Sequence, residues 1–92
     1  MRNKKQIQEA EQEFFDRVWY NRKLVMLDRM RAGLEDVPED VMDQVTHSMR
    51  KIEETYGGPD KLVYDDFEWG MVNGKLSALR WVLGDEWDFL DT

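Results

Sequence analysis

The chain has 92 residues, no cysteine and a net charge of −7, and 41% of it is apolar, with four Trp, four Phe and three Tyr. These values exclude disulfides, thiolate metal sites and cysteine nucleophiles. They also exclude a disordered polymer, which lacks large side chains at this charge density.

Between about residues 5 and 32 there is no Gly or Pro, and apolar residues recur at helical spacing. Ile7, Ala10, Phe14, Val18 and Val25 form one row; Phe15, Trp19, Met26 and Met30 form the adjacent one. Gly33 supplies the stop. The pattern predicts a first helix of roughly 42 Å.

A second helix is expected at about 37–56. Asp36 followed by Glu39 reads as a capping box with Pro38 in the first turn, and Gly57-Gly58-Pro59 ends the helix. Val41, Val45, Met49, Ile52 and Tyr56 make its stripe. A third is expected at about 66–83, opened by Asp65 or Asp66 with Glu68 completing the cap and closed by Gly84. Its apolar residues lie on nearly every side, the pattern of a buried helix. The last nine residues are expected to add one short helical turn, with Trp87, Phe89 and Leu90 folding back on the core. The fold class is therefore all-α, a single helical domain spanning 1–92 with a long first helix.

Gly70, Gly74 and Ala78 recur every four residues in the third helix. Two interior glycines cost roughly 1 kcal/mol each relative to alanine, so close packing against that row is expected to offset the loss. The Phe14/Phe15/Trp19 region is the expected occupant, from the same chain or across a dimer axis. The first helix exceeds the other two by roughly 13–15 Å, which leaves one end of its stripe without a partner in a monomer and favours a homodimer.

Charge is uneven. Residues 1–34 hold eight Lys/Arg against five Asp/Glu, and residues 35–92 hold five against fifteen. The basic first segment is expected to dock near the acidic end. The overall field argues against nucleic acid. The runner-up argument for it rests on Arg17, Arg22, Lys23, Arg29 and Arg31 with Trp19 and Tyr20, but Glu13, Asp16 and Asp28 interleave as on a salt-bridged face.

Other chemistry is thinly represented. Asp65, Asp66 and Glu68 are accounted for by capping, and Asp85, Asp88 and Asp91 match no calcium loop. The sole histidine, His47, has no Glu three residues before it, which removes the di-metal bundle motif. Neither a nucleophile elbow nor a phosphate loop is present. No catalytic residue, metal or cofactor is expected, and a small-molecule ligand is undefined. If a polar site exists, Arg22, Asn73, Lys75 and Arg80 with Asp85 and Asp88 would form it, with Tyr20 and Asn21 at its edge. No apolar run reaches membrane-spanning length, and the polar start, Met1 to Gln6, lacks the apolar core of a secretory signal. The expected location is cytoplasmic.

The stretch from Phe67 through Glu68-Trp69-Gly70-Met71-Val72-Asn73-Gly74-Lys75 and Leu76-Ser77-Ala78-Leu79-Arg80-Trp81 to Leu90-Asp91-Thr92 resembles the C-terminal part of a family of short prokaryotic proteins. Trp19-Tyr20-Asn21-Arg22 resembles the same family. The resemblance implies a free-standing small prokaryotic protein and carries over no activity. Together these readings favour a homo-oligomeric interaction or structural module without enzymatic activity. The alternatives are a ligand- or metal-binding protein or enzyme with a carboxylate–Arg site at a subunit boundary, and a nucleic-acid-associated accessory protein.

Overall fold

The computed structural model describes residues 1–87, and every helix in it ends at a glycine. The order is α1 (Lys4–Arg31), α2 (Glu39–Tyr56), a short 3₁₀ turn (Pro59–Lys61) and α3 (Asp66–Val82), with no strand among the described residues. The chain is all-α. Past the last turn of α2, Gly57 adopts φ 94°, and the Gly58 amide reaches back to the Glu53 carbonyl at 2.8 Å. A side chain with a Cβ would be strained there. Leu34 to Arg29 and Asp85 to Arg80 repeat the same closure at the ends of α1 and α3, both at 2.9 Å.

The helix starts differ. At α3 the Asp65 carboxylate accepts from the Glu68 amide at 2.8 Å, and the Glu68 carboxylate accepts from the Asp65 amide at 3.1 Å. This is the expected capping box. The Asp36/Glu39 box does not form. Pro38 itself stands at the N-cap with ψ 146°, no side chain caps α2, and the helix begins at Glu39. A proline disfavours helical backbone in the residue before it, so the turn cannot begin at Asp36. Residues 32–36 are all exposed.

Two compact units divide the chain: Met1–Val18 with the segment from Tyr64 onward, and Trp19–Val63. The 28 residues of α1 are thus used twice. In the first unit Val18, Val72 and Leu76 are buried, and Phe14, Tyr64 and Trp69 pack on them. In the second, Tyr20, Val45, Met49 and Leu62 are buried under Trp19, Leu24, Met26, Leu27, Ile52 and Tyr56. Both halves of α1 therefore have apolar packing partners within one chain.

Tyr20 corrects a second expectation. It is only 2% exposed, a core residue rather than the edge of a polar patch. Val25 and Phe15, assigned to apolar rows, are exposed. The α2 stripe is as expected, except that Val41 is also exposed.

Candidate functional site

A helix with apolar residues on all sides can bury only the face it turns to a partner. In α3 that face carries Val72, Asn73 and Leu76. Val72 and Leu76 offer α1 apolar area to cover, whereas glycine offers almost none, and Phe14 packs on the Val72/Leu76 cluster. Gly70, Gly74 and Ala78 are exposed, and a Cβ added at Gly70 or Gly74 would meet no atom within 4 Å. The expectation that α3 is wholly buried, with an intrachain helix seated on its small-residue row, is overturned. Phe14 lies on the opposite cluster, Phe15 is half exposed beside Arg80, and Trp19 packs in the other unit.

The solvent face of α3 is instead a continuous apolar strip. Phe67 (76% exposed), Met71, Trp81 (49%) and Val82 flank the exposed Gly70, Gly74 and Ala78. Residues 67, 71, 74, 78 and 81 are spaced four, three, four and three apart, so they share one face. Trp87 stacks on Trp81 with ring centroids 5.1 Å apart and planes 12° from parallel. Of the expected C-terminal turn, Asp85, Glu86 and Trp87 are not helical. Asp88, Phe89, Leu90 and Asp91 lie outside the described residues.

Among the described residues of the first unit, Asn73, Lys75, Arg80 and Asp85 do not converge on one another. Arg80 pairs at 3.6 Å with Glu11 of α1 and lies 5.9 Å from the Phe15 ring centre. The Lys75 ammonium sits 5.4 Å from the Phe14 ring centre. Asp85 is exposed, and its amide closes the α3 terminus. Arg22 is exposed and belongs to the other unit. Asn73 is buried, and its side-chain amide donates to the Trp69 carbonyl at 2.8 Å. Its Oδ1 is buried without a hydrogen-bond partner. The cationic heads of Lys75 and Arg80 stand over the α1 aromatics Phe14 and Phe15, a cation–π arrangement.

Polar networks hold each unit internally. Arg17 donates to Glu13 and to the Tyr64 hydroxyl, both at 2.9 Å. Burial opposes its charge, but the hydrogen bonds and the charge attraction of Tyr64 and Glu13 together outweigh the penalty and raise its pKa. Asn21 donates to the carbonyl of the fully buried Leu62 at 2.7 Å, which anchors the 3₁₀ turn. Burial, then the hydrogen bond to Glu53, pushes the Tyr20 phenol up to about 12. Sequence reasoning missed Tyr20 because its partner lies 33 residues away.

Charge docking is mixed. Across α1 and α3 the acid, Glu11, is on α1 and the base on α3, the reverse of the expected polarity. Arg2 and Lys4, however, line an open cleft of about 380 Å³ with Val82 and Leu83. That position sets cations beside the C-terminal end of α3, where the helix dipole favours them. In the second unit Arg29 faces Glu35 at 3.6 Å, Arg31 faces Asp28 at 3.4 Å, and Lys23 lies 5.5 Å from the Trp19 ring centre.

Among the described residues no group of three or more Asp, Glu or His converges as metal ligands would, and no helix is long and apolar enough to cross a membrane. No protein-family model, curated protein or solved structure matches the chain. The constellation with a chemical consequence is the apolar strip of α3.

Proposed function

We propose that the protein is a homo-oligomeric interaction module, a dimer in the first instance, without enzymatic activity. The supporting observation is the strip of α3, where Phe67, Met71 and Trp81 lie exposed along one helix face and the line 67, 71, 74, 78, 81 carries no charged residue. Contiguous apolar surface of this kind marks association sites. The interior glycines of α3 fit the reading: their cost is uncompensated in an isolated chain and is offset if a second helix approaches closely. A cytoplasmic, prokaryotic setting accompanies this proposal.

Multi-angle light scattering over a wide concentration range tests it. The expected molar mass is twice the 11.1 kDa of the chain at high concentration, with dissociation on dilution. Phe67→Ser and Trp81→Ser are expected to weaken association while circular dichroism reports an intact helix content. A mass of one chain throughout would overturn the proposal.

A further inference from the structure

The strip also contains an order of residue sizes that selects one arrangement of two copies. Gly74 is the ninth of the seventeen residues of α3, with eight on either side. The sizes at four and at seven places mirror each other about it, while at three places Met71 faces the smaller Ser77. Gly70 and Ala78 stand four residues away in each direction, and Phe67 and Trp81 stand seven away. At about 100° per residue, all five lie within about 40° of the face centre.

Resting on the dimer reading above, we infer that two chains pair through α3 antiparallel, with the two-fold axis passing at Gly74. A two-fold interface is self-complementary, so a residue n places before the axis meets the residue n places after it in the partner. This register sets Gly74 against the partner's Gly74, Gly70 against the partner's Ala78, and Phe67 against the partner's Trp81. Small meets small at the centre, which lets the backbones approach closely, and aromatic meets aromatic at both ends. A parallel pair would give like against like throughout.

Charge selects the same orientation. Asp65, Asp66 and Glu68 cluster at the start of α3, and Arg80 lies near its end. In parallel the two acidic starts would lie side by side. In antiparallel the acidic starts lie at opposite ends of the pair, and the helix dipoles run head to tail.

The chain has no cysteine, so single-cysteine variants report the register directly. Helices packed 8–10 Å apart, each with Cα atoms about 2.3 Å from its axis, bring facing Cα atoms within disulfide range. Gly74→Cys is expected to form a disulfide dimer under mild oxidation about tenfold faster than Val25→Cys, an exposed site off the strip. An equimolar mixture of Gly70→Cys and Ala78→Cys is expected to yield the mixed dimer in preference to either self-linked one. Rapid self-linking of both variants would establish parallel pairing and overturn the inference. A dimer by light scattering in which Gly74→Cys links no faster than Val25→Cys would overturn the register alone. A mass of one chain, as when the chain's own C-terminal segment covers the strip, would remove both readings.

Discussion

Tyr20 donates its phenolic hydrogen to the Glu53 carboxylate at 2.6 Å, joining α1 to α2 inside a core where the tyrosine is almost fully enclosed. The bond holds the neutral phenol beside an anion, so ionisation would bury a second negative charge next to the first. Burial above all, then the hydrogen bond and this repulsion, push the phenol up from 10.0 to about 12. The folded value lies above the unfolded one, so this stabilisation is fully present below pH 10 and is lost as pH rises through about 12. Urea unfolding at stepped alkaline pH is expected to show the decline over that window. Tyr20→Phe is expected to flatten this part of the curve and to cost about 1.5–3 kcal/mol at neutral pH, because it leaves Glu53 without its donor.

Asn73 poses the opposite case. Its amide nitrogen is satisfied by Trp69, but its oxygen is buried and unpaired, which costs about 1–3 kcal/mol relative to a satisfied group. Asn73→Leu removes that cost and adds apolar volume beside Val72 and Leu76. Thermal melts are expected to show a midpoint unchanged or raised. Asn73→Asp places a charge in the same position and is expected to lower stability at neutral pH, with partial recovery on acidification.

Two Asp-x-x-Glu stretches give a paired test of capping. Asp65→Ala removes the carboxylate that accepts from the Glu68 amide while leaving the backbone amide that donates to Glu68, and is expected to cost about 1 kcal/mol. Asp36→Ala alters a residue that caps nothing and is expected to fall within about 0.5 kcal/mol of the parent. Equal losses at the two sites would mean that α2 starts earlier than Glu39.

Gly74→Leu separates the fold from the assembly. The space around Gly74 is open within the chain, and leucine is the better helix former. Helix content and the thermal midpoint of the dilute protein are expected to hold or rise. Association is expected to weaken at least tenfold, because the side chain would fill the closest approach of two helices, and light scattering across a dilution series measures it.

Much of this architecture was legible in the sequence because its punctuation is strong. Gly33, Gly57 and Gly84 end the three helices as glycines past an apolar-periodic run should. The Asp65/Glu68 box is read correctly, whereas the identical spacing at Asp36/Glu39 misleads because Pro38 imposes extended geometry just where the helix would begin. Which face is buried was much less legible. Every side of α3 is apolar, so periodicity cannot choose between the Val72/Leu76 face and the Phe67/Trp81 face; only the shape of the partner does. Tyr20 escaped for a related reason. Its polar tip suggests a surface position, and the carboxylate that satisfies it is distant in sequence. Among the described polar residues, Arg80 and Lys75 find partners on α1, Glu11 and Phe14, which no spacing in the sequence pointed to.

The uncapped start of α2 has a kinetic consequence. With no side chain accepting from its first amides, and with residues 32–36 exposed ahead of it, the first turn of α2 is cheaper to open than the capped first turn of α3. Its amides should exchange with solvent ahead of those at the start of α3. A protease that cleaves after acidic residues should enter there first, at Glu35 or Asp36 in that exposed stretch, while the glycine-closed ends of the helices still resist.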